Sequence, residues 1–503
     1  MKIMQVTVEV ARVEAASAEV LVLLHCEGEA LVKQDTARLD TALDGALSTL
    51  VHSKEFEGNA NEVLLYHTQG KVPAKRVVLV GLGKKNDVTT ETIRQAMGSA
   101  AKRVRQTKAE SFSVALPTVR PEGMSSLDVA QAMVEGAILG SYQFTVYRSD
   151  AASGRDVAEM RVLISMKAQS RQVTEGIRRG VATAEATVFV RDLCNHPSNV
   201  LTPTRVADEA KAIAKAEGIA INILEQKEME NLGMGALLGV ARGSQEPPKF
   251  IILEYNGAKN KDARPVVLVG KTITFDTGGI SLKPAENMEH MKADMTGGAE
   301  VLASIRAAAR LKLPLRLISI LPVAENMPGG RAMKPGDIVT TLSGKTVEVQ
   351  NTDAEGRLIL ADGLAYAMRY KPAALIDIAT LTGACVVALG QFAIGMFGTD
   401  DTLKERVRKS GQKAGERVWE MPLWEEYFEQ LKSDVADMRN IGGRGGGMIT
   451  AALFLSKFVG DCPWVHLDIA STDWSERERA YIPKGPTAIG TRLLVQYLID
   501  RSL

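Results

Sequence analysis

The chain has few of the residues from which familiar metal and redox centres are built. Its 503 residues include four cysteines and six histidines. Cys26, Cys194, Cys385 and Cys462 lie far apart with no Cys-x-x-Cys pair, which excludes a zinc ribbon and makes a disulfide scaffold a poor reading. The histidines are scattered, and no His-Glu-x-x-His pair occurs. A metal site would therefore have to be made mostly of carboxylates. Aromatic residues make up 5% of the chain, too few for a wall of base-stacking platforms. The 61 basic and 60 acidic residues leave a net charge of +1, which excludes polyanion binding by bulk charge. No apolar run approaches the roughly 20 residues needed to span a bilayer. The first residues, MKIMQVTVEVARVEA, alternate like a strand and lack the apolar core of a secretion signal. A soluble cytoplasmic protein with no membrane contact is expected.

What is present is ordinary globular composition, 45% hydrophobic and 24% charged. The pattern predicts strands at 20–25, 63–67, 76–81, 111–116 and 161–165, and helices at 91–110 and 126–139. A long helix, about 173–193, ends at the helix-breaking cluster Asn195-His196-Pro197-Ser198-Asn199. Beyond it, apolar strands at 220–224, 249–255, 265–269, 315–321, 346–349, 374–379 and 464–469 alternate with helical stretches. The fold class expected is α/β, in a two-domain subunit. A small N-terminal α/β domain (1–166) and a connecting helix (167–195) precede a larger α/β/α domain (196–503) with a mixed, mostly parallel sheet.

Three glycine patterns suggest nucleotide binding, and all fail. Gly81 and Gly83 open a dinucleotide fingerprint whose third glycine is replaced by Asn86. Gly270-Lys271-Thr272 and Gly344-Lys345-Thr346 resemble the end of a phosphate loop, but Pro265 and Val339 stand where its first glycine belongs.

Two other segments carry chemistry: VGKTITFDTGGISLKPAENMEHMKAD (269–294) and NTDAEGRL (351–358). Each puts acidic residues just beyond an apolar strand, where open α/β sheets place their ligands. Taken singly, Asp276, Asp294, Asp353 and Glu355 read as caps or turn residues. Brought together, their four negative charges would repel and raise one another's pKa values. Two divalent cations would cancel them, and oxygen ligands of this kind suit zinc, manganese, magnesium or cobalt. Lys271, Lys283 and Arg357 then add positive charge for an oxyanion, the arrangement of two-metal hydrolysis.

These segments resemble the leucine aminopeptidase (cytosol aminopeptidase) family of dinuclear metallopeptidases. NTDAEGRL matches its signature, and further stretches fit: ENMPGG at 325–330, KPGD at 334–337, ATLTGA at 379–384 and HLDIA at 466–470. The resemblance implies an aminopeptidase that releases N-terminal leucine and other apolar residues from peptides. It implies a homohexamer and two divalent ions per subunit, Mn2+ or Zn2+. Carried onto this sequence, Asp276 and Glu355 bridge both ions, Asp353 completes a tighter site, and Lys271 and Asp294 complete a looser one. The catalytic residues implied are Lys283, polarising the scissile carbonyl, and Arg357, holding bicarbonate as general base. Met291, Thr380, Gly383 and Ala470 line the pocket for the first side chain.

Two departures from the family pattern stand out. Thr272 replaces a glycine beside Lys271, and Ser471-Thr472-Asp473 makes the pocket rim more polar. Asp473 either favours basic or polar first residues or points to solvent. One local charge asymmetry also needs weighing. Residues 71–110 hold ten basic and three acidic residues, a balance of +7 against −6 for residues 1–70. Either this is a solvated basic face, or Lys102, Arg103 and Arg105 bind duplex DNA. The second alternative would be a transcription or recombination accessory activity of the same hexamer.

Overall fold

The computed structural model describes residues 3–30, 34–117, 123–149, 156–260 and 262–502. The chain forms two compact units, Met1–Val188 with Glu476–Lys484, and Phe189–Ser475 with Gly485–Leu503.

The first unit is a six-stranded sheet built from β1 (Gln5–Val10), β2 (Leu21–His25), β3 (Val63–His67), β4 (Arg76–Gly81), β5 (Ser111–Ala115) and β6 (Glu159–Ile164). Its strand order is β1-β6-β5-β2-β4-β3. Only β3 runs antiparallel to its neighbour. Its helices are α1 (Gln34–Ala42), α2 (Ala46–His52), α3 (Thr90–Gln106) and α4 (Ser126–Gly140), followed by the long α5 (Ser170–Asn195). α3 starts where Thr89 and Thr92 cap each other's backbone N–H, and it stops at Gln106, four residues short of the helix expected to 110. The unit boundary at 188/189 and the sequence boundary at 195/196 fall within and at the end of the same helix.

The second unit opens with α6 (Pro203–Glu217), β7 (Ala220–Leu224), α7 (Gln226–Leu232), α8 (Gly235–Ala241) and β8 (Lys249–Asn256). It continues through β9 (Val266–Gly270), β10 (Thr272–Asp276), α9 (Thr296–Arg310), β11 (Arg316–Asn326), β12 (Ile338–Thr340), β13 (Thr346–Glu348), α10 (Glu355–Ala367) and β14 (Ala374–Ala379). It closes with α11 (Gly383–Leu389), β15 (Ile394–Gly398), α12 (Asp401–Ala414), β16 (Val418–Glu420), β17 (Met438–Arg439), α13 (Gly447–Ser456), β18 (Trp464–Asp468), β19 (Trp474–Ser475), β20 (Gly485–Pro486) and α14 (Thr491–Arg501).

The main sheet of this unit has nine strands in the order β16-β15-β18-β14-β9-β11-β8-β7, with β10 also paired to β11. The central strands β18, β14, β9 and β11 are parallel, and β15, β8 and β7 bring antiparallel pairs to the flanks. Helices α6, α9, α12 and α14 pack together on one face, and α8, α10 and α13 on the other. With both faces covered, β9 and β14 are buried along their whole length, which is why they read as unbroken apolar runs. The parallel strands end their carboxyl edges together, and every candidate site residue in this unit follows one of those ends or sits on a segment beside it.

Candidate active site

Lys271 lies at a kink between β9 and β10. β9 pairs with residues 317–320 of β11, and β10 resumes the pairing at Val323. The kink puts the lysine side chain inside the protein, 3% exposed, where it crosses Gly356 of α10. A Cβ at position 356 would stand 2.6 Å from the lysine Cε, so only glycine lets the chain pass. The ammonium reaches Asp294 Oδ1 at 2.7 Å, Glu355 Oε1 at 2.8 Å and the Thr380 carbonyl at 2.8 Å. Asp294 ends a short 3-10 turn, Met288–Ala293, and also accepts from Thr380 Oγ1 at 2.7 Å.

Asp276 ends β10. Its Oδ1 accepts from Gly278 N and from Asn326 Nδ2 at 2.7 Å, and its Oδ2 lies 2.8 Å from Lys283 Nζ. Lys283 also pairs with Asp353. Glu355 opens α10, where a carboxylate sits favourably at the helix start. Ligand oxygens of Asp276, Asp353 and Glu355 fall within 4.8 Å of one another. The structure therefore gathers all four predicted carboxylates and both lysines into one cluster, in which Lys271 joins Asp294 to Glu355.

The charges respond as crowding requires. Burial raises the Asp294, Glu355 and Asp353 carboxyls, and Asp276 adds to each rise. Burial pushes the Lys271 and Lys283 ammonium groups down, but the surrounding carboxylates outweigh it and hold both above the usual lysine value. Asp294 Oδ2 and Glu355 Oε2 are buried with no hydrogen-bond partner among the described residues. Oxygen donors held close and left unsatisfied are what divalent cations take, so the residues fit a metal centre. Arg357 is buried on α10, donates to the Asn440 carbonyl at 2.7 Å and leaves Nε unpartnered among the described residues. Burial brings it down to about 10.

Residues that the sequence did not single out position this cluster. Asn440 is fully buried; its Oδ1 accepts from the Gln350 and Asn351 N–H groups, and its Nδ2 donates to the Asn351 carbonyl. It fixes the loop that presents Asp353. Asn326 ties Asp276 to the Thr352 carbonyl. Asp468 accepts from the Leu381, Thr382 and Ala470 N–H groups and from Thr382 Oγ1, so the 380–383 turn and the 468–470 turn are one assembly. Thr380, Gly383 and Ala470 are thereby brought together. Met291, half-buried, sits in the turn that ends at Asp294, which Thr380 binds.

Thr272, the first departure, is completely buried, with Oγ1 donating to the Gly270 carbonyl. It takes up room against α9, where a Cβ at Gly298 would stand 2.0 Å from its Oγ1. A cavity of about 1330 Å³ lies beside the same region, lined in part by Phe275, His290, Lys292, Arg331 and Trp474, but none of the clustered carboxylates lines it.

In the first unit, the three basic residues considered for DNA have partners close at hand. Lys102 pairs with Glu478 at 2.5 Å and donates to the Arg479 carbonyl, Arg105 donates to the Ser141 carbonyl, and Arg103 bonds Gln106. Lys102 and Arg105 are half-buried and serve the packing of their own unit. No observation favours the DNA reading.

A buried carboxylate–lysine centre at the carboxyl edge of a mixed α/β sheet defines a metal-dependent hydrolase. The comparisons make the class specific. Residues 188–495 match the catalytic domain of the cytosol aminopeptidase family, and residues 20–151 match its N-terminal domain. A probable cytosol aminopeptidase of Geobacter sp. (strain M21) is 49% identical over 460 residues, 91% of this chain and 92% of its own. That of Geobacter sulfurreducens is 47% identical over 498 residues, 98% and 99% of the two chains. Among solved structures, the bottromycin maturation enzyme BotP in complex with Mn superposes with a TM-score of 0.85 at 36% identity, covering 97% of this chain and 100% of BotP. A mutant of tomato leucine aminopeptidase gives 0.88 at 33% identity, covering 99% and 96%. The chain belongs to the cytosol aminopeptidase family and is a metal-dependent aminopeptidase.

Proposed function

We propose that the protein removes N-terminal leucine and other apolar residues from peptides by two-metal hydrolysis. The observation that carries the reading is the cluster itself: four carboxylates and two lysines, with two buried carboxylate oxygens unpartnered among the described residues. When bound, two divalent cations, Mn2+ or Zn2+, activate a water and polarise the scissile carbonyl. Asp276, Glu355, Asp353, Lys271 and Asp294 are the residues that would hold these ions. To serve as a ligand Lys271 would have to be neutral, whereas the surrounding carboxylates hold its ammonium above the usual lysine value; nearby dications would supply the opposing charge.

Lys283, partly buried beside Asp276 and Asp353, would donate to the carbonyl oxygen as negative charge develops on it. Arg357, with Nε unpartnered among the described residues, would hold bicarbonate, which would supply a general base. The free α-amine of the peptide is received on the Lys271–Asp294 side, which restricts cleavage to the first residue. Met291, Thr380, Gly383 and Ala470 enclose that residue's side chain.

The chain works as a homohexamer in this reading. Its support is apolar surface, including Val387 at 89% and Trp419 at 64% exposure, that a lone subunit leaves in water.

The test is hydrolysis of leucyl amide by the metal-loaded protein. Activity should disappear with chelator, return with Mn2+ and be absent from Asp276→Ala. Turnover that survives complete metal removal would overturn the proposal.

A further inference from the structure

The turn that carries Ala470, proposed above to enclose the first side chain, also carries an acid, Asp473. Three segments converge there. The 468–470 turn is bound through Asp468 to the 380–383 turn. Thr380 is bound in turn to Asp294, at the end of the segment bearing Met291. Trp474 closes the ring by stacking on His290, the neighbour of Met291, with centroids 4.0 Å apart. Asp473 lies between Ala470 and Trp474, its N–H bound to the Ile469 carbonyl and its own carbonyl bound by the Thr487 N–H. Asp473 keeps some solvent exposure as a residue, although protein surrounds its carboxyl closely.

No ion pair to Asp473 occurs among the described residues. Lys271, the cation within electrostatic reach, is already shared by Asp294, Glu355 and the Thr380 carbonyl. Behind it lie further acidic groups, Asp468 and the fully buried Glu300, whose Oε2 has no hydrogen-bond partner among the described residues. Burial and Asp468 push the Asp473 carboxyl up to about 7, the state of an acid that lacks a counter-charge.

We infer that Asp473 is a specificity-determining residue, and that the first-residue pocket accepts lysine and arginine, whose cationic ends pair with its carboxylate, as well as apolar residues. The inference rests on the aminopeptidase reading and names the substrate class of that same site. Charge, not size, is the recognition element, so the informative comparison is lysyl amide against norleucyl amide, which differ at the ammonium alone.

The experiment measures kcat/KM for both amides with the Mn2+-loaded enzyme and with Asp473→Asn. The lysyl substrate should match or exceed the norleucyl one in the unaltered enzyme. Asp473→Asn should lower the lysyl-to-norleucyl ratio by about tenfold or more, the size of a lost charged hydrogen bond. A ratio below about one-tenth in the unaltered enzyme overturns the inference whether or not the variant folds. So does a ratio that Asp473→Asn leaves within about threefold. If the unaltered enzyme hydrolyses neither amide, the aminopeptidase reading fails first, and the inference with it.

Discussion

At the residue scale, the two basic groups beside the carboxylates have separate jobs. Lys283 touches Asp276 and Asp353 and keeps some exposure, while Arg357 is anchored on the Asn440 carbonyl. Neither is needed to gather the acids. Lys283→Ala and Arg357→Ala should therefore lower kcat by about a hundredfold, within the usual range for a lost oxyanion donor or general base. Metal content, read by atomic emission alongside turnover, should stay near that of the unaltered protein; an equal loss of metal contradicts the roles. Asp276, Asp294, Asp353, Glu355 and Lys271 were legible in the sequence because two short motifs contain them all. Asn440 was not, and Asn326 and Asp468, although inside the stretches 325–330 and 466–470, carried no role there. They act on backbone N–H and carbonyl groups of loops about 20 to 90 positions away, and such bonds leave no local pattern.

At the element scale, β14 and β18 are joined by side chains as well as by their ladder. Asp377 and His466 are register partners. Asp377 accepts from His466 Nδ1 and from Trp464 Nε1, both at 2.6 Å. All three are buried. Burial alone would lower the His466 pKa, but the Asp377 carboxylate outweighs it and raises the pKa above 6.5. A raised folded-state pKa gives stability that is complete below the ordinary histidine range and is lost as pH rises through the folded value. The melting temperature should therefore fall as pH is raised above about 6.5, the unperturbed histidine value. His466→Gln should flatten that slope, and a profile identical to the unaltered protein's would contradict it. His466 is a core histidine held by Asp377 through Nδ1, while its Nε2 has no hydrogen-bond partner among the described residues. The sequence pattern placed the buried strands well because residues packed on both faces read as apolar runs. It missed β10, because the kink at Lys271 hides a five-residue strand among polar residues, and it stopped β11 at 321, although that strand runs on to Asn326 beside the site.

At the scale of the whole molecule, the first unit is not made from one stretch of chain. Residues 476–484 belong to it, and Tyr481 is buried in its core. The phenol donates to Glu91, which also pairs with the buried Arg94, itself held by Glu135. Gly98 of α3 passes so close to this segment that a Cβ there would stand 2.9 Å from the tyrosine Cβ. Tyr481→Ala should cost about 3 kcal/mol or more, the usual result of removing a buried ring. Calorimetry should show an earlier transition for the first unit; an unchanged melting profile would contradict the packing. This discontinuity was invisible in the sequence, which assigned all of 196–503 to the second domain.

The contact between Thr272 and Gly298 has a historical consequence. With the threonine in place, no side chain fits at 298, and the atoms nearest to a Cβ there all belong to residue 272. The two positions therefore cannot be exchanged in either order. A lineage that enlarges residue 298 must first shrink residue 272, and one that acquires Thr272 must already carry glycine in the helix.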